Sequence, residues 1–168
     1  MSKIFSKILV PINKLIRILM ILSFSIMVIL IFAQIIYRYV LIRPIPWAEE
    51  AARFFFVWAT FLGASVAVKN RAHINVSFLV DKISVNYKKY EKPLILSSYI
   101  LCIIFLSAIT FYGLRISFHV NKQTSPALQL PMIYPYLAIP IGTFMMVINF
   151  IAILLEEIEN HKATSPKK

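Results

Sequence analysis

The stretch ILMILSFSIMVILIFAQIIY, residues 18–37, decides the fold class of this 168-residue chain. It holds 20 uncharged residues and lies between Arg17 and Arg38. A helix rises about 1.5 Å per residue, so the stretch spans about 30 Å, enough to cross the hydrocarbon core of a bilayer. Basic residues precede it, as in a signal peptide, but it is too long for one and no Ala-x-Ala-type cleavage site closes it. We therefore expect a retained signal anchor with a transmembrane helix over about residues 15–40.

Three further apolar segments repeat this pattern along the chain. The predicted transmembrane helices cover about residues 46–69, 93–116 and 131–156. Pro46 fits the first helical position, where a backbone N–H is not needed, and Pro135 and Pro140 are expected to kink the last helix. The sequence predicts an all-α integral membrane protein, a single membrane domain over residues 1–168 with a disordered polar tail over 160–168.

Lys and Arg residues fall mainly on one side of the predicted helices. The two tails and the connection between the second and third helices hold 13 of them, against 5 in the other two connections. The positive-inside rule then puts both termini in the cytoplasm. The net charge of +11 is therefore a sign of orientation. We expect no nucleic-acid partner, because basic residues that bind nucleic acid lie on a folded polar surface with stacking aromatics.

The connection between the second and third helices contains an amphipathic pattern over about residues 75–91. Its apolar residues recur at three- and four-residue spacing, and charged or amide residues fall between them. The apolar positions are Val76, Leu79, Val80, Ile83, Tyr87 and Tyr90. This spacing predicts an interfacial helix in the lipid headgroup layer. A solvated loop with scattered apolar residues is the alternative.

The sequence carries no pattern typical of catalysis, of a cofactor or of a metal site. The three histidines, His73, His119 and His161, lie at predicted helix ends or in tails, whereas a haem anchor needs paired histidines inside its helices. The lone Cys102 offers no disulfide framework and no thiolate metal site. All seven acidic residues lie at or beyond predicted helix ends, so no intramembrane carboxylate is available to couple an ion. If the chain takes part in transport, we expect the ion and solute sites in another chain.

One polar cluster stands out where the first predicted helix ends and the second begins. Gln34 and Arg38 are four residues apart, as are Glu49 and Arg53, so each pair shares a helix face. We expect Arg38 to pair with Glu49 or Glu50. Arg53 should also have a partner, because an unpaired Arg inside a membrane costs a few kcal/mol. The cluster is interpreted as structural or partner-binding; interfacial snorkelling with a local ion pair is the alternative.

The second predicted helix also carries small residues at four-residue spacing, Ala59, Gly63 and Ala67, flanked by two tryptophans. Small residues let another helix approach closely. Trp47 fits an interfacial anchor, and Trp58 lies deeper and is expected to pack against another element. Two interpretations stay open for the stripe: a contact within this helical bundle, or a docking face for another subunit.

In their order and spacing these residues resemble the DctQ family, the small membrane subunit of tripartite ATP-independent periplasmic (TRAP) transporters. The resemblance covers about residues 30–142. Its motifs are Gln34-x-x-x-Arg38-Tyr39, Trp47-Ala48-Glu49-Glu50-x-Ala52-Arg53, Trp58-x-x-Phe61-Leu62-Gly63-Ala64, His73-Ile74, Ser125-Pro126-Ala127-Leu128-x-Leu130-Pro131-Met132, Tyr136 and Pro140-x-Gly142.

The resemblance implies a non-catalytic scaffold subunit in the bacterial inner membrane. In that family a periplasmic binding protein captures an organic anion, such as a C4-dicarboxylate or a sialic acid, and a large DctM-like subunit moves it inward, driven by sodium. The small subunit packs on the large one, contacts membrane lipid and helps to dock the binding protein. The resemblance also implies a periplasmic docking segment, made of Ser125, Pro126, Leu128, Pro131 and Met132. Since the chain ends at Lys168, the large subunit is expected to be a separate chain.

Two other functions compete with this interpretation. A stand-alone small transporter or channel, working as an oligomer, would need a polar pathway. Polar residues inside the predicted helices are few: Gln34, Thr60, Thr110, Asn149 and some serines. A membrane enzyme or redox anchor is disfavoured by the placement of the histidines.

Overall fold

The computed structural model describes residues 2–70 and 91–164 of the chain. Its helices are α1 (Ser2–Tyr39), α2 (Pro46–Lys69), α3 (Glu91–His119), α4 (Ile133–Tyr136) and α5 (Ala138–Thr164). A 3₁₀ turn, Val120–Lys122, follows α3. No strand of a sheet occurs in these two described ranges.

Four segments are long and apolar enough to cross a membrane: Leu9–Tyr39, Pro46–Lys69, Leu96–Lys122 and Ile133–Glu157. They confirm the predicted all-α protein with four transmembrane helices. The predicted interfacial helix lies outside the described residues, except for Glu91, which begins α3. The cytoplasmic position of both termini stays a prediction.

The ends of two helices differ from the bounds expected from hydropathy. α1 begins at Ser2 rather than near residue 15. The side chains of Leu9, Asn13 and Ile16 in this part of the helix are buried, and their packing stabilises it. At the other terminus, α5 continues to Thr164, into the tail that was expected to be disordered.

The fourth transmembrane segment is two helices rather than one kinked helix. The four-residue α4 ends at Tyr136 and α5 begins at Ala138, with Leu137 between them. Pro135 and Pro140 have no N–H to donate within the helix, which weakens the hydrogen-bond ladder on both sides of Leu137. The amide of Leu137 still donates to the Ile133 carbonyl, at 2.9 Å, so the break is short.

The four long helices pack mainly in a row, in the order α1, α2, α5, α3, and α1 also contacts α5 directly. α2 packs along α1 on one side and along α5 on the other, and α3 packs against α5. α1 and α3 therefore form the edges of the row. They also carry most of the exposed large apolar side chains, as expected for helices that face lipid or another protein.

α1 meets the other helices along a single seam. The residues on this seam are buried or half-buried and follow one another in alternating steps of four and three. They are Leu9, Asn13, Ile16, Met20, Ser23, Met27, Leu30 and Gln34. A spacing that averages about 3.5 residues is typical of helices that wind around each other with a left-handed twist.

The closest approach between helices occurs at Gly142 of α5. A Cβ at this position would lie 2.6 Å from the Phe61 Cβ and 2.9 Å from the Phe61 carbonyl carbon on α2. Glycine thus allows the α2 and α5 backbones to come together here. Gly63 of α2 is less constrained, because its added Cβ would lie 3.4 Å from the flexible Met20 sulfur.

Candidate functional site

The start of α2 places two adjacent carboxylates at one end of the molecule. This hairpin end, as we name it, holds the α1–α2 connection over residues 40–45 and the loop over residues 123–132. Pro46 begins α2 directly after Ile45, whose backbone is extended, and no side chain caps the helix. Glu49 and Glu50 follow, and consecutive helix positions differ by ~100° around the axis. The two carboxylates therefore reach different neighbours.

Glu49 links α1 to α2. Its Oε2 accepts a hydrogen bond from Gln34 Nε2 at 3.2 Å, and its Oε1 accepts one from Arg53 Nη2. Arg53 thus has the partner that was expected, four residues away on the same helix. The Arg53 side chain is nevertheless 74% exposed, so this ion pair lies on the outer surface of α2 rather than inside the row of helices.

Glu50 holds the 123–132 loop. Its Oε2 accepts hydrogen bonds from the backbone N–H groups of Ala127, at 2.9 Å, and Leu128, at 2.8 Å. Pro126 has no N–H, so these two amides are the first donors of the tight turn that follows Ser125. A carboxylate at such a position acts as a helix N-cap does, but it comes from another helix.

The 123–132 loop is itself closed by backbone hydrogen bonds. Thr124 and Pro131 form an isolated antiparallel bridge, and the Ser125 amide donates to the Leu130 carbonyl at 2.9 Å. Gln129 adopts φ 53°, the left-handed region that turns the chain back. The Ser125 hydroxyl is buried and is the one buried side-chain polar atom of the described residues without a hydrogen-bond partner. The loop is therefore an ordered element that its own backbone hydrogen bonds close.

Trp58 fastens α2 to the entrance of the fourth segment. Its Nε1–H donates to the Tyr134 carbonyl of α4 at 3.1 Å. The indole satisfies a backbone acceptor near the break before α5, where helical hydrogen bonding is incomplete. Two α2 side chains, Glu50 and Trp58, thus position the segment that connects α3 with α5.

Two other members of the predicted cluster lie at its edge. Among the described residues, Arg38 forms no direct ion pair with Glu49 or Glu50, although its charge still acts on Glu49. Its guanidinium lies 5.8 Å from the centre of the Tyr39 ring. Trp47 is half exposed, as an interfacial anchor would be.

The small-residue stripe of α2 points partly into the chain itself. Ala59 is buried, and Gly63 faces Met20 of α1. Ala67 is half-buried. These positions agree with a contact inside the row of helices, and a docking role for the stripe stays a prediction.

A second polar cluster, at the opposite end of the row, was not anticipated. We name this the terminal end, because it holds the start of α1 and the later part of α5. Asn13 and Asn149 exchange two side-chain hydrogen bonds, at 2.9 and 3.1 Å. Asn149 Nδ2 also lies 3.3 Å from the carbonyl and hydroxyl oxygens of Ser65. All three residues are buried. The sequence did contain a sign of this cluster, since two apolar helices each carry an Asn, and Asn side chains form hydrogen bonds between helices in membranes.

Within the described residues, no group of three His, Cys, Asp or Glu side chains lies close enough to hold a metal ion. The polar contacts described above are hydrogen bonds that join helices to one another and to the 123–132 loop.

Comparison with known proteins places this architecture in a family. Residues 27–160 match the family described as "Tripartite ATP-independent periplasmic transporters, DctQ component". The isethionate TRAP transporter permease protein DctMQ of Oleidesulfovibrio alaskensis is 32% identical over 130 residues, which cover 70% of this chain and 19% of that protein.

Two smaller relatives are similar over shorter stretches. The C4-dicarboxylate TRAP transporter small permease protein DctQ of Rhodobacter capsulatus is 30% identical over 64% of this chain and 47% of its own length. The sialic acid TRAP transporter small permease protein SiaQ of Vibrio cholerae is 34% identical over 48% of this chain and 44% of its own. The chain thus spans less than half the length of each of these relatives. With four membrane-spanning helices and a family match over most of its length, the chain belongs to the DctQ family of small TRAP permease subunits and is a multi-pass protein of the bacterial inner membrane.

Proposed function

We propose that the chain is the non-catalytic scaffold subunit of a sodium-driven, binding-protein-dependent TRAP transporter that imports an organic anion. Membership of the DctQ family carries this proposal. Isethionate, C4-dicarboxylates and sialic acid, named for the relatives, are all organic anions, and the proposed solute belongs to this class.

The polar groups inside the helices support a subunit without its own transport path. The Thr110 and Thr143 hydroxyls lie 2.8 Å apart between α3 and α5, and Thr60 donates to the Phe56 carbonyl of its own helix. These groups are satisfied within the chain, whereas a coupled transporter presents carboxylates to an ion at the midplane. This observation disfavours the stand-alone transporter and supports a separate large subunit as the site of ion and solute binding.

The outer surface of α2 is the proposed contact with the large subunit. Arg53 and Glu49 form their ion pair on a helix that crosses the membrane, yet both side chains are largely exposed in the isolated chain. An exposed charged pair on such a helix is costly against lipid and less so against protein or water. A neighbouring polar protein surface would remove that cost.

The 123–132 loop is the proposed landing surface for the periplasmic binding protein. Glu50 holds this loop and Trp58 holds α4 directly after it, and Pro126 and Ala127 are exposed at the tip of the loop. A preorganised loop loses less conformational entropy when a partner binds than a mobile one does. The predicted orientation puts this end in the periplasm, where the binding protein is.

A reconstituted system separates these roles. Proteoliposomes that contain this chain, the large subunit, the binding protein and a sodium gradient should take up the anion, and proteoliposomes with this chain alone should not. Arg53→Gln should weaken copurification of the large subunit, whereas Arg115→Gln, an exposed charge on α3, should not. Flux through the chain alone, or equal copurification of both variants, would contradict the proposal.

A further inference from the structure

A cleft of ≈ 170 Å³ opens between α1 and α2 at the terminal end of the row. Lys14 and Arg17 line it from α1, and Lys69, the last residue of α2, lines it with the following Asn70. Residues three and four apart share a helix face, and α1 and α2 run in opposite directions. The two helices therefore bring three cationic side chains into one small space.

These three charges are not neutralised within the described part of the chain. Lys14, Arg17 and Lys69 form no ion pair there, and the described lining of the cleft contains no carboxylate. A second cleft of ≈ 190 Å³ shares Asn13 and Lys69 but contains Glu156. The first cleft differs from the second in having no carboxylate in its described lining. Three like charges in one cleft repel each other unless an anion occupies it.

The same face of α1 continues as an apolar track toward the hairpin end. Ile21, Phe24 and Val28 follow Arg17 in steps of four, three and four residues, and their exposures are 51%, 55% and 45%. The helix rises about 17 Å between Arg17 and Val28. That length is about the depth of one leaflet of the hydrocarbon core.

We propose that this cleft binds the phosphate of an anionic membrane lipid, whose acyl chains lie along Ile21, Phe24 and Val28. Lys and Arg donate strong charge-assisted hydrogen bonds to phosphate oxygens, and basic pockets between helices on the cytoplasmic side suit acidic headgroups. The predicted orientation puts the cleft in that leaflet. Free phosphate offers the same oxygens but makes no use of the apolar track, so the lipid is the favoured ligand. The site does not depend on the proposed transport role.

Native mass spectrometry of the purified full chain tests the proposal with three probes: phosphatidylglycerol, phosphatidylcholine of the same acyl chains, and inorganic phosphate. Phosphatidylglycerol should bind most tightly. Lys14→Gln/Lys69→Gln should weaken its binding about 25-fold, since each basic residue near an anionic lipid contributes about fivefold. The matched control Arg43→Gln/Lys122→Gln removes two exposed charges at the hairpin end and should leave it unchanged.

Folding is monitored separately by the Tm in phosphatidylcholine alone, and Lys69→Arg, which keeps the charge, should retain lipid binding. Equal binding of the two lipids, an equal loss in the control variant, or inorganic phosphate that binds as tightly as the lipid would overturn the proposal. The proposal would also fail if Lys14 and Lys69, in a purified complex, crosslinked to carboxylates of another protein rather than contacting lipid.

Discussion

Replacing Glu50 by Ala removes the oxygen that accepts the backbone hydrogen bonds of Ala127 and Leu128, at 2.9 and 2.8 Å. Hydrogen bonds to a charged group contribute ~1.5–3 kcal/mol each. Ala127 is exposed, so water can replace its partner, whereas half-buried Leu128 is less accessible to water. We therefore expect the 123–132 loop to lose ~2 kcal/mol of local stability. At about 1.4 kcal/mol per factor of ten, this is about a 30-fold change in the opening equilibrium.

Residue-resolved amide hydrogen exchange on the purified chain measures this opening. In Glu50→Ala, the Ala127 and Leu128 amides should exchange about 30-fold faster, as estimated from the two lost bonds. Glu50→Gln keeps an acceptor oxygen without the charge and should have a smaller effect. The adjacent Glu49→Ala is the matched control, because Glu49 bonds to α1 and to its own helix but not to the loop. If both alanine variants left the two amides equally protected, Glu50 would not hold the loop and the reasoning would fail.

Three further substitutions test the packing described above by Tm in a fixed detergent. Gly142→Ala should lower the Tm clearly, because its Cβ would lie 2.6 Å from a neighbouring atom of α2. Gly63→Ala should be tolerated, because its Cβ would contact a flexible side chain at 3.4 Å. Equal effects of the two variants on the Tm would refute the close approach at Gly142. Asn149→Ala should lower the free energy of unfolding by ~2 kcal/mol, because it leaves Asn13 buried without its partner. The double variant Asn13→Leu/Asn149→Leu should lower the free energy of unfolding by less than the sum of the two single Leu variants. Ser125→Ala should leave the Tm unchanged or higher, since its hydroxyl has no partner; a lower Tm would mean that the hydroxyl is bonded.

Features that depend on local sequence could be predicted. The four helices follow from uncharged stretches, because the cost of placing charges in lipid acts on each segment separately. The Glu49–Arg53 pair follows from the helical repeat, which places residues four apart on one face.

Features that depend on contacts between distant residues could not be predicted in the same way. Glu50 and Leu128 are 78 positions apart, and Asn13 and Asn149 are 136 apart. Nothing in either segment alone specifies the other as a partner, since the pairing depends on the order in which the helices pack. The placement of Arg38 has the same origin: the α1–α2 connection brings Gln34 into hydrogen-bond contact with Glu49, whereas Arg38 acts on Glu49 without a direct ion pair.

The row of helices α1, α2, α5 and α3 has a mechanical consequence. Neighbouring helix axes lie about 8–10 Å apart, so the axes of the edge helices α1 and α3 lie roughly 25–30 Å apart. Fixed to a larger protein, this row widens the footprint in the bilayer with little added mass. A wider footprint resists tilting in the bilayer, so a protein fixed to these helices would keep its angle to the membrane.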